Sequence, residues 1–140
     1  MNAIPRTRTE ALAMRKIVEL AAQGLDDATA SLVPSWHGKL EGKGALVHVN
    51  TRVPWGDDLM RAKVDLWDTE ANDPDNAPTL WEKVMYKEGH RIIPENIPAE
   101  DPFTLDELGW WTDGLLYKSL LSTNVWTPAQ MSEAWEVVEV

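Results

Sequence analysis

Cysteine is absent from this chain of 140 residues. Its absence excludes disulfide bonds, thiolate nucleophiles and thiolate metal sites together. Long apolar runs are also missing, and none reaches the length of a membrane span. Basic residues at Arg6, Arg8, Arg15 and Lys16 interrupt any signal-peptide core near the N-terminus. We therefore expect neither insertion into a membrane nor delivery by a classical export route.

Basic residues are scarce in the last third of the chain. Residues 92–140 contain one basic residue, Lys118, against nine acidic residues, and the whole chain has a formal net charge of -10. Such a surface repels phosphate groups, so binding to nucleic acid is disfavoured. The acidity serves solubility on the simplest interpretation. An acidic inhibitor that mimics nucleic acid is a remoter alternative, suggested by the charge alone.

Patterns typical of catalytic and metal sites are missing as well. The three histidines, His37, His48 and His90, have no metal-ligand spacing. The loop that begins at Asp68 starts like a calcium loop, but it lacks the glycine at its sixth position, and Thr79 replaces the glutamate at its twelfth. We predict that the protein is not an enzyme and that it uses no metal and no cofactor.

Tryptophan, by contrast, is abundant, with eight tryptophans against one phenylalanine and two tyrosines. Their positions indicate a degenerate internal repeat. Residues 54–61 match residues 110–117, with Trp55 over Trp111, and residues 80–84 match 134–138, with Trp81 over Trp135. The segment between these matches is two residues longer in the first copy. We expect Trp81 and Trp135 to lie in the core, on closing strands.

The second copy contains the clearest strand signals. Asp113-Gly114 lies between short apolar runs and predicts a hairpin that pairs residues 109–112 with 115–120. A third strand would return at 135–138. The fold class that follows is α+β and mostly β, in which an N-terminal helical segment precedes two small three-stranded antiparallel Trp-rich modules.

The N-terminal helix is predicted from Arg8 to Gln23, with a capping box formed by Thr7 and Glu10 and a stop at Gly24. An apolar seam along it favours oligomerisation or attachment to a larger partner. Docking of the helix on its own domain is the alternative. The seam consists of Ala11, Met14, Val18, Ala21 and Leu25.

The predicted organisation has four parts. Residues 1–32 form the helical segment for attachment or oligomerisation, and residues 33–90 form the first β-module. Residues 91–102 form a Pro-rich connector, because three prolines break regular structure there. Residues 103–140 form the second β-module.

Short motifs in the first module resemble a known family. Residues 59–64, Trp67, Asp73-Pro74 and residues 80–84 look like the small chitin-binding carbohydrate modules of families 5 and 12. Those modules are compact, Trp-rich, three-stranded units.

The second module is similar again, through residues 113–119, Pro128 and Trp135. The segment 26–36, behind a short helix, resembles small phage proteins that are encoded near tail-fibre and baseplate genes. The resemblance implies a phage virion accessory protein, associated with the tail or a fibre, that binds host cell-surface glycans. Its partners would be phage structural proteins and copies of itself, and its location would be the virion.

A purely structural virion protein, such as a head fibre or decoration protein, is the alternative, with the tryptophans buried in an oligomer. If glycans bind, we predict that they bind mainly at the second module, because Tyr117 stands where the first copy has Arg61. Stacking on a sugar ring needs an exposed flat aromatic face. The predicted glycan-binding residues are Trp110, Tyr117, Trp126, Asn124, Lys118 and Trp67.

Overall fold

The computed structural model describes residues 7–139, so the first six residues of the predicted helical segment and the last residue of the second module lie outside the described residues. The chain divides into two compact units, Met1–Val84 and Met85–Val140. The predicted fold class is confirmed: one long helix precedes short, mostly antiparallel strands. No helix among the described residues combines the length and the apolar character that a membrane span requires.

Helix α1, Arg8–Gln23, has the predicted bounds. The Thr7 hydroxyl caps its first turn by accepting from the Glu10 N–H at 3.1 Å. A second, short helix α2, Asp27–Ala30, follows, and the Asp26 carboxylate caps it through the Thr29 N–H. Both helices begin at these positions because a side-chain oxygen accepts a hydrogen bond from a backbone N–H group that the first turn leaves free.

Helix α1 packs against the rest of the first unit. Docking of the helix on its own domain is the alternative to oligomerisation or attachment that the sequence left open. Ala22 is its fully buried residue, and Gln23 exchanges two hydrogen bonds with the backbone of Arg52. The seam does not form one free surface: three of its residues are half-buried and two are exposed. The half-buried ones are Met14, Val18 and Leu25, and the exposed ones are Ala11 and Ala21.

The Arg52 guanidinium connects both helices to the sheet. It is 5% exposed and donates to the carbonyls of Ala22 and Leu25, at 2.9 and 2.7 Å, and to Asp27 at 2.8 Å. Asp27 also accepts from Arg61. Burial by itself raises the pKa of Asp27, but hydrogen bonds from Arg61 and Arg52 outweigh it and hold that pKa below its ordinary value.

The first unit contains five strands: β1 Leu46–Val47, β2 Arg52–Trp55, β3 Asp58–Ala62, β4 Leu66–Trp67 and β5 Trp81–Lys83. Strands β2, β3 and β5 form an antiparallel sheet with β3 in the centre, and β1 and β4 form a separate two-stranded sheet. The core consists of Val53, Ala62, Leu66 and Trp81. Trp81 is therefore a core residue, as predicted.

The second unit contains β6 Tyr86–Lys87, β7 His90–Ile92, β8 Leu108–Trp110, β9 Leu116–Ser119 and β10 Trp135–Val138. They form one sheet in the order β10-β9-β8-β7-β6, in which β7 and β8 run parallel. This sheet has five strands rather than the predicted three.

The connector predicted at residues 91–102 belongs to this second unit. Strand β7 extends into it, and Ile93 and Ile97 lie in the core with Phe103. The Arg91 guanidinium lies 4.0 Å from the centre of the Phe103 ring and donates to the Asp101 carbonyl. Three prolines therefore do not make this segment a loose linker, because buried apolar side chains fix it.

Trp135 is also a core residue, as predicted, and its ring meets Phe103 edge-on with centres 5.1 Å apart. Gly109 on β8 lies against the same core. A Cβ atom there would stand 2.6 Å from Ile93 and 2.9 Å from Phe103. Only glycine lets β8 come this close to the core.

Replacing Arg52 tests the connection between helices and sheet. Arg52→Ala removes the guanidinium hydrogen bonds to the Ala22 and Leu25 carbonyls and one partner of Asp27, so we expect the free energy of unfolding to fall by about 3 kcal/mol. Urea unfolding followed by circular dichroism at the helix band measures it, since both helices lie in this unit. Lys83→Ala is the control: it breaks an exposed pair with Asp58 and costs at most about 0.5 kcal/mol. Equal effects of the two substitutions would contradict the role of Arg52.

His37 makes the first unit sensitive to pH. The ring is fully buried, and its Nδ1 atom donates to the carbonyls of Val33 and Pro34. Burial, and secondarily the charge of Arg52, lowers the pKa of His37. Below about pH 6.5 the unfolded chain takes up a proton that the folded one does not, so stability falls as the pH falls.

We expect the unfolding free energy of His37→Gln to depend less on pH than that of the natural chain between about pH 6.5 and 5.5. Urea midpoints at several pH values give the comparison. His48→Gln is the matched control, because the His48 side chain is largely exposed. If His37→Gln and the natural chain show the same slope, His37 does not remain neutral in the folded state.

Candidate functional site

Strand β3 of the first unit and strand β9 of the second make the same contacts with the strand that closes each module. Ala62 on β3 lies opposite Trp81, and Ser119 on β9 lies opposite Trp135. All four residues are buried. In both units a short 3₁₀ helix, Pro78–Leu80 or Ser132–Ala134, leads into the closing tryptophan.

Ion pairs and indole hydrogen bonds also correspond. Arg61 pairs across the strands with Glu82 at 2.8 Å, and Lys118 pairs with Glu136 at 3.3 Å. The Trp81 indole N–H donates to the carbonyl of residue 72 at 2.7 Å, and the Trp135 indole N–H donates to that of residue 126 at 2.6 Å. Each acceptor lies nine residues before its tryptophan.

These contacts shift the expected sequence match between β3 and β9 by one residue. Arg61 corresponds to Lys118, and Tyr117 corresponds to Met60. The cause is the hairpin turn, which has two residues between Trp55 and Asp58 but three between Trp111 and Leu115. The contrast between Tyr117 and Arg61, on which the predicted glycan site depended, is therefore not a contrast between equivalent positions.

A cleft opens beside Trp55 in the first unit and beside Trp111 in the second. In the first unit it has a volume of about 180 Å³ and is lined by Trp55 and Asp73 among others. In the second it has a volume of about 480 Å³ and is lined by Trp111 and Thr127 among others. Trp111 corresponds to Trp55, and Thr127 corresponds to Asp73. We call the larger one the Trp111 cleft; its remaining lining residues are Glu95, Asn96, Thr112, Ala129 and Gln130.

The two indole N–H groups are used differently. That of Trp55 donates to Asp75 at 3.1 Å. Ala129 occupies the corresponding place in the second unit, and among residues 7–139 the Trp111 indole has no hydrogen-bond partner. Trp111 is half-buried, so its ring is held by the core while part of it faces the cleft.

Other polar groups in the Trp111 cleft are also free. The side chains of Asn96 and Thr112 make no hydrogen bond to any part of the chain that the structure describes. Gln130 uses its carbonyl oxygen to accept from the Thr127 N–H, which orients its amide. The cleft therefore combines an aromatic wall with neutral donors and acceptors and one carboxylate, that of Glu95.

Asn124 is wrong as a glycan-binding residue, because it is fully buried and its amide is used inside the fold. Its nitrogen donates to the Ser119 hydroxyl at 3.0 Å and to the Ala134 carbonyl at 3.1 Å. Its oxygen accepts from the Trp126 N–H. It joins the end of β9 to the 3₁₀ helix before β10 and to the loop between them.

All four predicted aromatic residues lie outside the Trp111 cleft, and two of them are held by contacts within the second unit. The Trp110 indole donates to the Lys87 carbonyl, and its ring meets His90 edge-on. The Tyr117 ring packs against the core, and its hydroxyl donates to Asp113 at 2.6 Å. That hydrogen bond raises the pKa of Tyr117.

The other predicted residues are separate from one another. Trp126 is 40% exposed, and Lys118 is paired with Glu136 on the sheet. Trp67 is 59% exposed but belongs to the first unit. None of the six predicted residues lines the Trp111 cleft. The repeat contained a usable signal, since it paired Trp111 with Trp55, but Asn96 and Gln130 have no sequence pattern that marks them.

Comparisons with protein-family models, with curated proteins and with solved structures found no match. The chemistry of the clefts is therefore the basis for a functional proposal.

Asn124→Ala tests the structural role of this amide. The substitution leaves the Trp126 N–H without its acceptor and removes one of the two hydrogen bonds that the Ala134 carbonyl accepts, so we expect a loss of about 2 kcal/mol in unfolding free energy. Thermal or urea unfolding gives the value. Asn96→Ala is the matched control and should change stability by less than about 0.5 kcal/mol, because its amide is free. A stable Asn124→Ala chain would contradict the assignment.

Proposed function

We propose that the protein binds saccharides, and that a sugar ring binds in the Trp111 cleft of the second unit. The observation that carries the proposal is a half-buried indole with a free N–H among neutral polar side chains. The cleft volume of about 480 Å³ lies within the range of small-ligand sites. The proposal is for a binding protein and includes no enzymatic activity.

The chemistry of a pyranose suits this cleft. Its C–H face is apolar and stacks on an aromatic ring, while its hydroxyl groups both donate and accept hydrogen bonds. The Trp111 N–H and the Asn96 amide provide donors, and the Thr112 hydroxyl provides both functions. Glu95 can accept from hydroxyl groups at the rim.

The smaller cleft beside Trp55 in the first unit, which we call the Trp55 cleft, can be compared with the Trp111 cleft in the same chain. Its indole N–H is already bound to Asp75, its volume is smaller, and carboxylates line it at Asp68, Glu70 and Asp73. We therefore assign neutral saccharides to the second unit alone.

The setting of this binding rests on the resemblance to phage proteins. We propose that the protein is a virion accessory component whose ligand is a glycan of the host cell surface. One ring stacked in one cleft would bind in the millimolar range. Several copies on one particle would raise the avidity.

A structural virion role is the second candidate. The observation that favours it is the exposure of three tryptophans that line neither the Trp111 cleft nor the Trp55 cleft, namely Trp36, Trp67 and Trp126. Exposed rings of this size are typical of surfaces that another subunit covers.

A glycan array probed with the multimerised chain tests the saccharide proposal. We expect Trp111→Ala to lower the affinity for a bound glycan about five- to tenfold, since one stacked ring contributes on the order of 1 kcal/mol. Trp111→Phe should keep part of this affinity because it keeps a ring. Trp55→Ala and Trp126→Ala should bind like the natural chain.

The controls separate binding from folding. Each variant must show the circular dichroism spectrum and the melting temperature of a folded chain before its binding is compared. If Trp126→Ala loses binding and Trp111→Ala does not, the site is elsewhere. If no glycan binds, the structural candidate takes the place of this proposal.

A further inference from the structure

The Trp55 cleft is strongly acidic, and no basic residue lines it. Three carboxylates, those of Asp68, Glu70 and Asp73, stand beside the indole in its lining. None of the three forms an ion pair with any residue that the structure describes. Lys43, which lies close by in the sequence, pairs with Glu41 instead and does not line the cleft. The negative charge of the cleft is therefore available to a ligand.

Asp68 places a buried charge in the wall of the cleft. It is 7% exposed, and its carboxylate accepts from the backbone N–H groups of residues 41 and 42, at 2.7 and 3.1 Å. A buried carboxylate is ordinarily compensated by a cation as well as by hydrogen bonds. Asp68 also borders a second groove that Lys16 and Lys39 line, yet neither lysine pairs with it. A cation bound in the Trp55 cleft would supply the counter-charge.

The indole of Trp55 is held in place as one wall of the cleft. The residue is half-buried, and its N–H donates to Asp75 at 3.1 Å. The π-system of an indole attracts cations, and tryptophan does so more strongly than the other aromatic residues. An immobilised indole among unpaired carboxylates thus combines two attractions for the same kind of ligand.

The negative charge is spread around the cleft rather than gathered at one point. Among residues 7–139, no group of three acidic or histidine side chains lies close enough to hold a metal ion. Spread charge beside an aromatic ring suits an organic cation, whose own charge is distributed over several atoms.

The hydrogen-bonding capacity of these carboxylates is already used in part. Both oxygens of Asp68 accept from backbone N–H groups, and both oxygens of Asp73 accept from Asn76. A primary ammonium has three N–H donors and therefore needs free acceptors. A quaternary ammonium needs none, and its methyl groups can contact Leu40 and the Trp55 ring, which both line the cleft.

We propose that the Trp55 cleft binds a quaternary ammonium group of the kind found in choline. The trimethylammonium group stacks on Trp55, and the carboxylates of Asp68, Glu70 and Asp73 surround it. The cleft volume of about 180 Å³ lies below the range of drug-sized sites and limits the ligand to such a compact headgroup. The inference does not depend on saccharide binding, because the two clefts share no lining residue.

Nuclear magnetic resonance of the nitrogen-labelled full chain, titrated with choline chloride at constant ionic strength, is the test. The chain has eight indole N–H signals, and that of Trp55 is the one missing from Trp55→Leu. We expect the Trp55 signal to shift saturably with a Kd in the millimolar range, and the Trp111 signal to stay in place. The uncharged alcohol in which carbon replaces the nitrogen of choline should bind at least about fivefold more weakly.

Variants separate the contributions of charge and ring. Glu70→Gln should weaken choline binding about two- to threefold at low salt and less at high salt, because it removes one exposed charge. Glu100→Gln is the matched control, since it makes the same change at an exposed residue of the second unit, and it should bind like the natural chain. Trp55→Leu should weaken binding at least about fivefold, measured by saturation transfer from the protein to the choline methyl protons. Circular dichroism establishes that each variant folds.

Two further ligands identify the source of the headgroup. Phosphocholine presents it on a small soluble molecule, and phosphatidylcholine vesicles present it on a lipid surface. Sedimentation with the vesicles that choline competes away, and that Trp55→Leu abolishes, assigns a lipid. A saturable shift with phosphocholine and no sedimentation with the vesicles assigns a headgroup in solution or on a polymer.

Four results would overturn the proposal. The first is a Trp55 signal that choline does not shift, and the second is an uncharged analogue that binds as tightly as choline. The third is a Glu100→Gln chain that loses as much affinity as Glu70→Gln. The fourth is ethanolamine, a primary ammonium, binding as tightly as choline, because the cleft would then not select the quaternary group.

Discussion

A buried guanidinium holds the first unit together. Arg52 enters the interior from the start of β2, and a charge in that position is tolerable only where partners surround it. It finds them in the Ala22 carbonyl, at the negative end of the α1 dipole, in the Leu25 carbonyl just beyond that helix, and in Asp27. Asp27 in turn binds Arg61, which continues to Glu82 on β5. A single connected set of charges thus joins two helices to all three strands of the central sheet.

The parts of the fold that sequence predicted best are those with local causes. Thr7 caps α1 because a hydroxyl before a helical run satisfies a free N–H, and no distant residue is needed for this. Trp81 and Trp135 are buried because each opens a closing strand in matching surroundings. Arg52 was not predictable in the same way: a lone arginine in a strand looks like a surface residue, and its partners lie more than twenty residues away.

Sequence matching placed the candidate site imperfectly for a geometric reason. One extra residue in a hairpin turn shifts every later residue of the returning strand. A constant offset therefore misaligns β9 with β3, although the matches of Trp111 with Trp55 and of Trp135 with Trp81 remain correct. Tyr117 therefore faces the core instead of a ligand. The prediction that Asn124 binds glycans was wrong for another reason. An amide in a loop suggests solvent exposure, but the burial of this side chain depends on tertiary contacts that the sequence does not reveal. Trp111 was identifiable as a counterpart of Trp55, but the difference between Asp75 and Ala129 has meaning only once the indole hydrogen bond is known.

The indole hydrogen bond to a carbonyl nine residues earlier limits where the chain of each module can vary in length. In each unit it ties the closing strand to the chain ahead of it, at residue 72 or residue 126, so the segment within each tie has a fixed length. The chain just before the tie is not fixed: it runs from Leu66 to Asn72 in one unit and from Asn124 to Trp126 in the other. Length variation is thus absorbed outside the tied segment, where loops tolerate insertions. An insertion before the tie must nevertheless leave Trp67 and Asp68 in place, because Trp67 pairs with Leu46 and Asp68 accepts from the N–H groups of residues 41 and 42.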